Sequence, residues 1–310
     1  FISGMFVWQS LAKKGIKKYL TGRFTRLGIP FIFGVFFLIP LAYYPAQIQV
    51  GLITGTYFSY GEFWLGMIRS GFGTAGPFWF LWLLLAFNTL VALLCHFFPF
   101  IQQTFRRQLT IVIDRPLRFS IILIGISILV YLPVTIATGP LAWIGIGPFH
   151  VQVSRVLLYL FYFLLGIGIG AFGSEPNGLA VFARYWVIFM TVGMVSFIVF
   201  IIMVAGVTNI DLTIISSITF VICCGANVFG ITGFFLWFTS RRFKLIDSLS
   251  RNAYGIYIVH YGFVTWLQYM LLQIPLAPGT KGMLVFLTAL MLSWGTSAVL
   301  RRIPAVKKII

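Results

Sequence analysis

The stretch "YWVIFMTVGMVSFIVFIIMVAG" (185–206) runs twenty-two residues without a charge. Wound as an α-helix, rising about 1.5 Å per residue, it is about 33 Å long and crosses the hydrocarbon core of a bilayer. Its apolar residues are continuous rather than alternating, so it reads as a helix and not as a strand of a membrane barrel. Similar runs lie at 29–46, 77–98, 118–137, 155–172, 212–238, 253–273 and 282–300, with a shorter one at 1–11. The sequence therefore predicts an all-α, polytopic helical membrane protein with eight whole spans and a partial one. The chain begins inside an apolar stretch, so we expect one more span before residue 1. The full-length domain would then have ten, and residues 1–310 are expected to form a single integral-membrane domain lacking its first transmembrane helix.

Composition agrees with this reading. Of 310 residues, 60% are hydrophobic and 9% are charged, whereas a soluble domain carries about 25% charged residues. The net charge of +17 would suggest nucleic acid in a soluble chain. Here the basic residues sit in short loops between apolar runs, so the expected partner is the lipid bilayer and no nucleic acid. Nineteen of the 22 lysines and arginines fall in alternate loops, and only Arg69, Arg155 and Lys281 fall in the others. The positive-inside rule assigns the rich set, including the C-terminal Arg301, Arg302, Lys307 and Lys308, to the cytoplasm. Cys95, Cys223 and Cys224 lie in or beside apolar runs without metal-ligand spacing, so no metal site and no disulfide framework are expected.

In "KKGIKKYLTGRFTRLGIP" (13–30), lysines alternate with Ile16, Tyr19 and Leu20 at helical spacing, as in a basic helix on the inner membrane face. Arg23 and Arg26 stand at i and i+3 and would share one helix face. Their planar forks match phosphate oxygens. They either anchor in lipid head groups or grip the phosphates of a nucleotide-like donor. The long loop 47–76 is rich in glycine and aromatics; we expect a short interfacial helix around 61–69 and an outer vestibule. Trp79 begins the next span, either as part of an aromatic belt or as a stacking wall for a sugar. His150 and Gln152 precede Arg155, which opens a span on the basic-poor side. Arg155 either pairs with Glu62 or Asp211 or binds an anionic group, and His150 is a loop histidine or a catalyst. In "LSRNAYGIYIVHYGFVTWLQY" (249–269), His260 falls well inside a span among Tyr254, Tyr257 and Tyr261. It either hydrogen-bonds between helices or relays protons or an acyl group. The chain has no Walker loop, G-x-G-x-x-G, H-E-x-x-H or G-x-S-x-G.

Taken together, "FISGMFVWQSLAKKGIKKYLTGRFTRLGIPF" (1–31), "LIPLAYYPA" (38–46), "GPFWFLWLLLAFN" (76–88), "AYGIYIVHYGFVTWLQY" (253–269) and "LSWGTSAVLRRIP" (292–304) resemble the acyltransferase 3 family of bacterial membrane O-acyltransferases. The branch most similar is that of glucan biosynthesis protein C, a succinyltransferase type. The resemblance implies ten spans with both ends inside the bacterial inner membrane. It implies transfer of an acyl group, acetyl or succinyl, from cytoplasmic acyl-CoA to a hydroxyl of a periplasmic or envelope carbohydrate, with no bound cofactor. The family's Arg-x-x-Arg motif falls on Arg23 and Arg26 as acyl-donor ligands. Its main catalytic histidine would lie before residue 1, leaving His260 as the catalytic candidate within this chain. Arg155, His150, Gln152, Trp79 and Tyr257 are the candidates for the acceptor or its pathway. A transporter or flippase of an acylated or lipid-linked glycan precursor explains the spans equally well, but not the combined motifs.

Overall fold

A computed structural model describes residues 1–73, 75–98, 116–170, 183–205, 210–238 and 244–310. Arg106, Arg107, Asp114, Arg115, Glu175, Arg241 and Arg242 lie outside the described residues, as does the side chain of Asp211. Among the described residues, seven helical runs are long and apolar enough to cross a membrane, and the chain is a multi-pass helical membrane protein. The helices are α1 (Ile2–Met5), α2 (Val7–Arg23), α3 (Ile29–Phe33), α4 (Ile39–Thr54), α5 (Tyr60–Arg69), α6 (Trp79–Phe97), α7 (Pro116–Thr138), α8 (Val153–Gly170), α9 (Trp186–Ala205), α10 (Ile210–Phe238), α11 (Lys244–Met270) and α12 (Pro278–Leu300).

The spans differ from expectation in two places. The partial span and the first whole span join in one helical run, Val7–Thr54, bent at Gly15, whose φ of 71° no helix accommodates. Helix α11 is not among the seven, although it was expected to span. It carries Tyr254, Tyr257, His260, Tyr261, Gln268 and Tyr269, whose polar groups make it less apolar than the seven. The fold is also not purely helical. Strands β1 (Trp143–Ile146) and β2 (Phe149–Gln152) pair as a hairpin in the uncharged loop 138–154. Gly147, at φ 56°, makes the tight turn possible.

Backbone contacts divide the chain into two compact units. The first comprises residues 1–19, 87–144 and 151–241. Its core is built on Tyr131, Leu158, Tyr162, Val221 and Phe229. Small residues let backbones approach closely: a Cβ at Gly166 would strike the Phe1 carbonyl, and one at Gly170 the Met5 carbonyl. Tyr19 donates a buried hydrogen bond to Asn88 Oδ1. Lys13, Lys14, Lys17 and Lys18 are all exposed, as a basic face requires.

The second unit comprises residues 20–86, 145–150 and 242–310. Its organising element is the proline-punctuated helical run from Arg23 to Thr54. A proline supplies no N–H to the carbonyl four residues earlier and crowds that carbonyl. Pro30, Pro40 and Pro45 thereby release the carbonyls of Arg26, Phe36 and Leu41 from the α-helical ladder. All three are taken by aromatic donors: Tyr254 Oη bonds the Arg26 carbonyl, Trp64 Nε1 the Phe36 carbonyl (2.7 Å) and Trp266 Nε1 the Leu41 carbonyl (3.0 Å). The first two lie in π-helical turns, Phe24–Gly28 and Gly34–Leu38, which widen the helix just before Pro30 and Pro40. Within lipid a main-chain carbonyl has no water to turn to, so the donors to Phe36 and Leu41, inside the span, are structural necessities.

Helix α5 begins as a capping box. The Ser59 N–H donates to Glu62 Oε2 (2.8 Å), and the Glu62 N–H donates to Ser59 Oγ (3.3 Å). It spans Tyr60–Arg69, with no buried residue, as expected of an interfacial helix near 61–69. Helices α11 and α12 pack through Gly255, which faces Ser297. Ser297 Oγ lies 3.0 Å from Asn252 Oδ1.

Candidate functional site: the tyrosine and histidine face of the Lys244–Met270 helix

Tyr254, Tyr257 and His260 are spaced three residues apart on α11, so they follow one another along one side of the helix. The rings of Tyr254 and Tyr257 stack at 6.4 Å, and those of Tyr257 and His260 are 5.9 Å apart. Each has a fixed anchor. Tyr254 bonds the Arg26 carbonyl, as above. Tyr257 Oη donates to the Pro77 carbonyl at 2.6 Å, in the tight turn Gly76–Phe78 that leads into α6. His260 Nδ1 lies 2.7 Å from the Tyr257 carbonyl. A carbonyl oxygen only accepts, so Nδ1 carries the proton and Nε2 keeps the lone pair in the neutral ring. Tyr261 continues the series and meets Tyr43 edge-to-face at 5.9 Å. A run of hydroxyl and imidazole groups thus extends from the Arg26 end of the first span toward Tyr43.

The structure brings several candidates together in the second unit: Arg23, Arg26, Trp79, His150, Tyr257 and His260. Arg23 closes α2 and is half-buried, while Arg26 lies within the π turn and is exposed. The wider winding there changes the angle that an α-helical i, i+3 pair would have. Trp79 is half-buried at the start of α6, 6.0 Å from the Phe80 ring. His150 sits on β2 with Nδ1 buried and unpaired among the described residues. Its neighbour Phe149 packs on Phe31 and Trp82.

Gln152 and Arg155 belong to the first unit. Gln152 is buried and donates through Nε2 to the Pro140 carbonyl at 2.9 Å, bracing the base of the hairpin. The Arg155 guanidinium stands 4.7 Å from the Phe220 ring centroid, and its Nε is buried without a hydrogen-bond partner among the described residues. Glu62, one of the two carboxylates expected to pair with Arg155, is instead held by Ser59, which keeps its pKa below the usual carboxylate value.

Two residues not assigned a role from sequence stand out. Tyr43 and Gln47 are half-buried on one side of α4. The available signal was the polar interruption "AYYPAQ" at the end of an apolar run. Without the fold, Tyr43 reads as an interfacial aromatic, and nothing places it beside Tyr261.

No curated protein and no solved structure matches the chain. Residues 1–302 match the acyltransferase 3 family, described as an acyltransferase domain, and the chain belongs to that family.

Proposed function

We propose that this protein is an O-acyltransferase of the bacterial inner membrane, with its C-terminus in the cytoplasm. It moves an acetyl or succinyl group from cytoplasmic acyl-CoA to a hydroxyl of an envelope carbohydrate such as a glucan. The observation that carries this reading is the continuity of polar groups between Arg26 and Tyr43 in a chain of the acyltransferase 3 family. The acceptor oxygen attacks the thioester carbonyl carbon, the carbon–sulfur bond breaks, and the coenzyme A thiolate leaves and takes up a proton. The hydroxyl proton needs a base, and His260 offers Nε2. Arg23 and Arg26 hold the donor phosphates at one end of this path. Tyr257 positions His260 through the carbonyl it presents. Trp79 and His150 belong to the acceptor side of the same unit. Gln152 and Arg155 act in the other unit, Arg155 as a cation for an anionic group.

The test uses the full-length protein in membrane vesicles with radiolabelled acetyl-CoA or succinyl-CoA and isolated envelope glycans. The expected result is label on the glycan, released by mild base as an ester is. Intact protein that labels no glycan would overturn the proposal, and glycan crossing the vesicle membrane unmodified would favour a transporter or flippase.

A further inference from the structure

At the end of the first span away from Arg26, α4, α5 and the loop after α5 enclose an open hollow of about 390 Å³. Tyr43 and Gln47 line it from α4, Phe63 from α5, and Ser70 and Phe72 from the loop. From Arg26 to Gln47 the helical run covers twenty-one residues, about 30 Å at 1.5 Å per residue, which equals the hydrocarbon thickness of a bilayer. The hollow and Arg26 therefore lie at opposite faces of the membrane.

Its chemistry is specific. The lining has three aromatic rings, one amide and two hydroxyls, those of Tyr43 and Ser70, and no charged side chain. Gln47 makes no hydrogen bond among the described residues, so both ends of its amide are available. Ser70 Oγ donates to the Met67 carbonyl at 3.1 Å and is left able to accept. Phe72 is the only non-glycine residue with positive φ among those described, at 65°, and it sits between Gly71 and Gly73, which are also left-handed. A bulky residue rarely adopts this conformation, and such residues gather at binding sites. Tyr43 also meets Tyr261, the residue after His260 on α11.

We infer that this hollow is the subsite for one neutral hexose unit of the acceptor. Aromatic rings cover the apolar face of a sugar, while an amide and a hydroxyl exchange hydrogen bonds with its hydroxyls. The uncharged lining selects against uronic or phosphorylated sugars, whose charge would be desolvated without a counter-charge. The inference takes its ligand class from the acyl-transfer reading, but it is tested by binding alone.

The experiment is equilibrium binding of radiolabelled cellopentaose and of pentagalacturonate to the full-length protein in lipid nanodiscs, without acyl-CoA. The neutral sugar is expected to bind saturably and at least about tenfold more tightly than the anionic one. Gln47→Ala and Ser70→Ala should each weaken it about three- to tenfold, the worth of one hydrogen bond. Ile53→Ala, at a fully exposed position outside the hollow, should not. Gln47→Leu, close in volume, serves if the alanine variant is not monodisperse. Absent or non-saturable binding, equal binding of the anionic sugar, or wild-type binding by both the Gln47 and Ser70 variants overturns the inference. Saturable binding by a protein that transfers no acyl group would instead leave the subsite standing and remove the acyltransferase reading.

Discussion

His260 Nδ1 lies 2.7 Å from the Tyr257 carbonyl, one turn earlier on the same helix. This bond fixes the tautomer as well as the ring, so the lone pair is committed to Nε2. An asparagine at 260 could keep the donor to the carbonyl while lacking any group at the Nε2 position. His260→Asn should therefore reach wild-type membrane levels and melt at the wild-type temperature, yet lose about a hundredfold or more in acyl transfer. Transfer within a factor of about two of wild type would remove His260 from the chemistry.

Arg26 is tied to the fold by its backbone and leaves its side chain exposed. Its carbonyl is held by Tyr254, whereas its exposed guanidinium is the group that the proposed donor site would use. Arg26→Lys preserves charge and backbone but loses the planar fork, so we expect KM for acyl-CoA to rise about tenfold with kcat little changed. Unchanged KM in a variant with lysine at both 23 and 26 would mean that charge alone suffices.

The Arg155 guanidinium lies over Phe220 with its Nε unpaired. Tyr159, one turn later, is its other neighbour, and a partly buried cation held by a ring and a neutral hydroxyl, with no carboxylate partner among the described residues, contributes little to stability. Arg155→Leu should shift unfolding by no more than about 1 kcal/mol in either direction. Transfer activity should nevertheless fall if the charge serves an anionic ligand. Thermal unfolding in detergent and the transfer assay separate these effects, and a variant that is destabilised by more than this yet transfers acyl groups at the wild-type rate while folded would make the residue structural.

The pairing of Pro45 with Trp266 can be tested by a double-mutant cycle. Trp266→Phe leaves the Leu41 carbonyl with neither the indole nor an i+4 N–H, at a cost of about 1–3 kcal/mol. In a Pro45→Ala background the helix supplies that N–H, and the same tryptophan substitution should cost markedly less. Equal costs in the two backgrounds would show that the indole bond does not compensate for the proline.

The capping box of α5 carries a pH signature. Its two Ser59 hydrogen bonds hold Glu62 below its ordinary pKa. A depressed folded-state pKa adds stability above the unfolded value, and this stability is lost as pH falls through the folded value. At neutral pH, Glu62→Gln should speed amide exchange across Tyr60–Arg69 relative to wild type. Below the lowered pKa the two proteins should exchange alike. A difference that persists in acid would assign the effect to something other than the carboxylate.

Much of the architecture was legible because lipid imposes simple rules. Uncharged runs long enough to span became helices, and "SYGEFWLGMIR" (59–69), amphipathic and flanked by glycines, became α5. His260 was visible as an anomaly, a titratable group in an apolar run. Other features depended on partners remote in sequence. Nothing near Pro30, Pro40 or Pro45 indicates that Tyr254, Trp64 and Trp266 will take the carbonyls they release. The hairpin had a local signal, Gly147–Pro148 between β-branched and aromatic residues, but an uncharged loop beside apolar runs masks it. The hollow at Tyr43 and Gln47 joins α4 to residues sixteen or more positions later, so no periodicity could disclose it.

The two π turns also set the rotational phase of the first span. Each accommodates one residue more than an α-helical turn, so the helix beyond it is displaced by about 100° in azimuth, and the two together by about 200°. Whether Tyr43 points toward Tyr261 or into lipid is thus decided between Phe24 and Leu38, well before the chain reaches it. The stretch from Arg23 to Tyr43 works as a dial: the prolines mark its stops, and the number of residues between them sets the direction in which the far end of the span faces.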